Sequence, residues 1–373
     1  NDTVAKLLGF PNYAALELDG EIAKTPEHVD AFITGLIAKA QPRMAPFIQQ
    51  LKNEMPNGMS LTSEGKFKPW DMKYLTTTYK KHHFNFNEHA ATEYFPVEHT
   101  LQSIFDIFQT FLGIVFTPIK PAWAWHEDVQ MLQVTDKQSG TLLGYLYLDL
   151  YPRDHKNGHA FLLDMVTGCT ETMPDGSVHR TPAVGLLLAN FPKASADRPA
   201  LLKHEDVVTL CHELGHAMHF FIGKAELKSF SGLSVKYDFV ETPSQLFELW
   251  PYDKECLKVI TSHYKTGEPM PDDMIDTIIG MNKFENKTSL LGQCFYSQFS
   301  LKLFLGLIQN GYIETLEKQL ETSIISHVMY DDKTHLYASF GHLVGYCSRY
   351  YCYLWSKVYS LALLDELKKG GLT

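Results

Sequence analysis

The sequence predicts a mainly α protein carrying one small antiparallel β-sheet. Apolar residues recur at helical spacing through the first hundred or so positions and again from residue 201 to the end. Between residues 129 and 166 the period changes to a strand-like one. No internal repeat, low-complexity run or flexible linker divides the chain. The reading is therefore a helical region over 1–120 joined without a linker to a second region over 121–373.

The elements follow in order. Thr25-Pro26-Glu27 is a helix start, with a capping hydroxyl and then proline at the first helical position. Val29 to Ile37 continues with helical spacing, and Pro56-Asn57-Gly58 marks a turn. From Glu98 to Phe116 the apolar positions suit a buried helix. Val129–Val134 and Leu142–Leu150 read as two strands of a hairpin around the turn Asp136–Gly140, and Gly158–Val166 as a third strand. Residues 167–200, rich in Pro, Gly and Thr, read as loops. Helical periods then cover 202–221, 244–263, 271–281, 291–309, 312–329 and 351–368.

Composition narrows the function classes. With 45% hydrophobic and 20% charged residues among 373, the chain is a globular one with a large core. A net charge of −10, without clustered Lys or Arg, argues against nucleic-acid binding. There is no run of about 20 apolar residues, so no membrane-spanning helix is expected. Six scattered cysteines, none in C-x-x-C spacing, suggest buried thiols in a reducing compartment. The start at Asn1, without methionine, suggests a processed or excised chain.

The residues that carry chemistry are His212-Glu213-Leu214-Gly215-His216, inside a good helical pattern. Histidines four apart stack on one helix face, where both imidazoles reach one Zn²⁺, and the adjacent Glu213 can act as a base. A catalytic zinc needs a third protein ligand, for which His219, Glu226, Glu241 and Glu248 lie downstream. His219 is about 10.5 Å along the axis from His212, too far to share its metal. Glu226 lies past Gly223, where the helix should stop. A second helix starting near Asp238 or Thr242 can cross the first and present Glu241, leaving Glu248 to hold a ligand histidine or to face solvent. A second cluster, Ser339 to Trp355, combines glycines with His342 and several tyrosines. Such hydroxyls and imidazole suit the oxyanion formed when water attacks a peptide carbonyl, and they equally suit a core or surface stripe.

With these segments together, the sequence resembles the thimet oligopeptidase, neurolysin and saccharolysin family of zinc oligopeptidases. The resemblance rests on Leu202–Glu205 leading into Cys211–His219, on Asp238–Gln245, and on 339–355, and extends from about residue 5 to the end. It implies a helical zincin-type metallopeptidase with the sheet near the active site. It also implies one Zn²⁺ per chain held by His212, His216 and Glu241, with Glu213 activating water. By the same resemblance His342, Tyr346 and Tyr350 bind substrate and Tyr353 donates to the oxyanion. The loop departs from many members in having Gly345-Tyr346 where they have Gly-Gly-Tyr. Family members are much longer, so the chain reads as a fragment holding the catalytic region, with 1–120 forming part of a channel wall. The implied function is hydrolysis of internal bonds of short peptides by a cytoplasmic monomer with no nucleic-acid or membrane partner. The alternatives are a mitochondrial presequence-processing intermediate peptidase and an inactive, truncated peptide-binding fragment.

Overall fold

A computed structural model describes residues 1–195, 198–306 and 312–370. The chain opens with α1 (Asp2–Leu7), α2 (Tyr13–Leu18), α3 (Pro26–Asn53), α4 (Pro69–Phe84), α5 (Glu88–Thr92) and α6 (Val97–Leu112). Among the described residues seven strands follow: β1 (Ile114–Ile119), β2 (Gln130–Asp136), β3 (Leu142–Asp149), β4 (Phe161–Val166), β5 (Cys169–Thr172), β6 (Val178–Thr181) and β7 (Ala183–Leu188). Helices return as α7 (His204–Ile222), α8 (Tyr237–Phe247), α9 (Lys254–Ile260), α10 (Asp272–Leu303) and α11 (Tyr312–Ile324). The chain then forms α12 (Leu336–Ser339), α13 (His342–Gly345) and α14 (Cys352–Leu367). Among the described residues no helix is long and apolar enough to cross a membrane.

The fold is mainly α with a small sheet, as the sequence implies. Local signals set several boundaries. The Thr25 hydroxyl accepts from the His28 N–H, and Pro26 opens α3. Gly113, at φ 65°, closes α6 in the left-handed conformation, so the expected helix stops before Ile114 and Phe116, which belong to β1. The Asp136 carboxylate accepts from the backbone of Gln138 and Ser139 and from the Ser139 hydroxyl, fixing the β2–β3 turn.

Two compact units emerge, each discontinuous in sequence. The first comprises 1–86, 236–239 and 280–355; the second comprises 87–235, 240–279 and 356–373. The core of the first packs Phe47, Phe67 and Leu75 with Phe284, Phe295, Phe299 and Tyr351. The second holds a five-stranded sheet in the order β1-β2-β3-β7-β4, with β5 and β6 as a separate ribbon. Its pairs are antiparallel except β3 with β7, which run parallel, so the sheet is mixed. The stretch 167–200, expected to be loops, contains β5, β6 and β7. β7 is buried along nearly its whole length, so its apolar run shows no alternation that would mark it as a strand. The helices expected over 271–281 and 291–309 join in α10, because the polar residues between them contain no breaker; residues 307–309 lie outside those described. The helix expected over 244–263 is divided instead: α8 ends at Phe247, and a short turn through Pro251 precedes α9.

Candidate metal centre

Helix α7 carries the paired histidines. It begins where Asp206 accepts from the Lys203 N–H, and it buries Val207, Leu210, Leu214, Ala217 and Phe221. Phe221 closes its far end on the sheet. A Cβ at Gly144 would lie 2.7 Å from that ring and 2.2 Å from the Ala183 carbonyl, so β3 needs glycine there.

Gly215, between the histidines, sets the neighbouring helix. A Cβ at this position would stand 2.6 Å from the Ser244 Cα and 2.9 Å from the Pro243 carbonyl oxygen. The bare glycine lets α8 cross α7 at backbone contact, and that crossing places Glu241 beside the histidine pair. His212 and His216 face each other at 4.8 Å between ring centroids. Glu241 Oε2 lies 3.4 Å from His212 Nε2 and 3.3 Å from His216 Nε2. One donor atom from each of the three residues lies within 4.8 Å of the other two.

The remaining contacts fix this group. His212 Nδ1 meets Glu248 Oε1 at 2.7 Å, and Lys357 Nζ donates to Glu248 Oε2 at 3.1 Å. The Ser244 hydroxyl lies 3.0 Å from Glu241 Oε2. Burial opposes charge on Glu241, yet the histidines and Ser244 hold its carboxyl down at about 2. Burial likewise opposes charge on His212, but the Glu248 carboxylate raises it to about 8. Glu213 is buried, which pushes its carboxyl above the usual range against the pull of both histidines. Its Oε2 has no hydrogen-bond partner, nor has His216 Nδ1.

The residues fit a tetrahedral divalent cation. Two imidazole nitrogens and one carboxylate oxygen are a zinc donor set, and edges of 3.3–3.4 Å correspond to ligand bonds of about 2.0–2.1 Å. His219 and Glu226 are outside the group. Glu248 faces the opposite nitrogen of His212. Spacing alone does not point to Ser244 or Lys357, whose roles depend on the fold.

The other candidate residues gather in the first unit. His342 lies 5.6 Å from Tyr346, 5.3 Å from Tyr350 and 6.0 Å from Tyr353 between ring centroids. Tyr353 lies 5.3 Å from Tyr346 and 5.1 Å from Tyr350. His342 is exposed, Tyr346 and Tyr353 are half-buried and Tyr350 is buried. The Tyr350 hydroxyl donates to Gln293 Oε1 at 3.2 Å, and burial pushes its pKa up to about 12.

The description "Peptidase family M3" matches residues 1–373. Saccharolysin of Saccharomyces cerevisiae is 33% identical over 96% of this chain and 52% of its own length. Oligopeptidase A of Haemophilus influenzae is 31% identical over 99% of the chain and 54% of its own length. Mitochondrial intermediate peptidases match at 28–30% identity. A solved structure described as a putative oligoendopeptidase F superposes with a TM-score of 0.53 at 11% identity, covering 99% of this chain and 54% of that one. The chain thus spans about half the length of the curated relatives it matches.

Proposed function

The chain belongs to peptidase family M3, and from that premise we propose that it is the catalytic portion of a zinc-dependent oligopeptidase that cleaves internal bonds of short peptides. The observation that carries the reading is the convergence of His212 Nε2, His216 Nε2 and Glu241 Oε2. The family implies a divalent metal, and this donor set favours zinc. When bound, the cation supplies the positive charge that acidifies water and polarises a peptide carbonyl.

The chain's own residues carry the rest of the proposed chemistry. Glu213 is the base: its unpartnered Oε2 accepts a proton from the attacking water and returns it to the leaving nitrogen. A raised carboxyl pKa suits both roles, since the group must release what it takes. Glu248, backed by Lys357, holds His212 with Nε2 turned toward Glu241. Tyr353 is assigned as donor to the oxyanion, and His342, Tyr346 and Tyr350 as substrate contacts, with the Tyr350 ring rather than its occupied hydroxyl offered to a peptide. Peptide substrates, a monomeric state and a cytosolic place belong to this reading.

A mitochondrial processing role is the second reading, and the higher identity to saccharolysin favours the first. The test is metal analysis of the purified chain with a quenched-peptide assay, with and without a chelator. Stoichiometric zinc and chelator-sensitive cleavage are expected. Cleavage that survives complete removal of metal would overturn the proposal.

A further inference from the structure

Within the first unit, the tyrosine cluster is tethered by an arginine to which the chemistry above assigns no part. Cys347 turns the chain at φ 47°, a left-handed conformation uncommon for a non-glycine residue. Ser348 follows, buried, and both its backbone N–H and its hydroxyl donate to Glu17 Oε2, at 3.1 and 2.9 Å. Arg349 Nη2 then pairs with Glu17 Oε1 at 3.2 Å, and Nη1 stands 3.7 Å from Glu21 Oε1. The guanidinium Cζ lies 3.7 Å from the centroid of the Tyr237 ring. Tyr237 in turn meets Tyr346 edge to face at 5.9 Å. Arg349 Nε also donates to the Tyr346 carbonyl at 3.4 Å.

The pairing is a shielded one. The side chains of Arg349 and Glu17 are only 16% and 8% exposed, so solvent weakens the interaction far less than it would a surface pair. Its neighbours in the loop have anchors of their own. Tyr350 is held by Ser300 and Gln293, and Tyr351 donates to Asp238 Oδ2 at 2.8 Å. The tether bears on the Tyr346 carbonyl directly and on the Tyr346 ring through Tyr237. Lysine could not replace it, because a point charge neither bridges two carboxylates with a planar fork nor stacks on a ring.

We propose that Arg349 is a positioning residue: clamped by Glu17 and Glu21 and stacked on Tyr237, it sets where the Tyr346 ring stands and so tunes the binding of peptide. The proposal rests on the oligopeptidase reading for its kinetic consequence.

The experiment compares the whole chain with R349K, R349M and the charge-balanced variant R349M/E17Q/E21Q. Melting temperature, KM and kcat are measured on one quenched peptide with zinc present. R349M should melt lower, since it leaves the shielded Glu17 and Glu21 carboxylates without their counter-charge, and should raise KM about tenfold while kcat stays within about threefold. The charge-balanced variant should regain the melting temperature and keep the raised KM; R349K should recover KM only in part. If KM returns to the wild-type value together with the melting temperature, Arg349 merely balances charge and the proposal fails. If R349M does not fold, the charge-balanced variant alone decides. Independently of turnover, 3-fluorotyrosine at position 346 should give a shifted ¹⁹F resonance in the charge-balanced variant. An unchanged resonance overturns the positioning role, whereas a shifted one in a chain that cleaves nothing counts against the peptidase reading alone.

Discussion

At the scale of single residues, the roles proposed for Glu213 and Tyr353 separate proton transfer from charge stabilisation. Glu213→Gln preserves shape but removes the acceptor. It should keep bound metal and lose about 10²–10⁴ in kcat, checked by metal content beside turnover. Tyr353→Phe removes one hydroxyl and leaves the ring to pack on Tyr346 and Tyr350. If that hydroxyl serves only the oxyanion, kcat and kcat/KM should fall together by about 10²–10³ with KM nearly constant. A raised KM with kcat intact would make Tyr353 a binding residue. The histidine pair could be found in the sequence because a four-residue spacing on one helix is local information. Spacing, with the glycines after α7, favoured Glu241 as the third donor but left Glu248 open as a partner of a ligand histidine or a solvated acid. Only the crossing of α8 over α7 sorts them, leaving Glu248 on the other nitrogen of His212.

At the scale of elements, Gly215 decides whether α7 and α8 can share a metal. Gly215→Ala puts a methyl where the Ser244 Cα stands 2.6 Å away, and backbone cannot yield as a flexible side chain would. The helices must part, carrying Glu241 from the histidines. Weakening of zinc binding by about tenfold or more is expected in a competition titration with a chromogenic chelator, together with a lower melting temperature. Unaltered affinity would show that the crossing tolerates a methyl group. Helix starts such as Thr25-Pro26 were legible because capping is local. β7 was not: alternation marks a strand with one wet face, and this one is buried between β3 and β4. The division of α8 from α9 lay in Pro251, while the unbroken α10 hid behind a polar stretch that mimics a loop.

At the scale of the whole molecule, the partition into units was out of reach of the sequence, because α8, α10 and α14 each supply residues to both. Composition has no reason to change at a boundary that falls inside a helix. The same partition has a consequence for the chain while it is being made. Residues of α2, α3 and α4 find their apolar partners in 284–351, and most of the intervening residues, all of 87–235 and 240–279, belong to the other unit. A ribosome adding about 5–20 residues per second leaves that apolar surface waiting on the order of 10–40 s for its cover. During this interval that apolar surface is without its partner in the first unit, whereas the sheet-bearing unit gains its strands in quick succession. Nascent chains arrested with residue 279 just outside the exit tunnel should therefore be cut readily by protease within 26–84, and chains released at full length should resist. Protection of α3 at the earlier arrest point would mean that α2, α3 and α4 hold themselves together before their partner arrives.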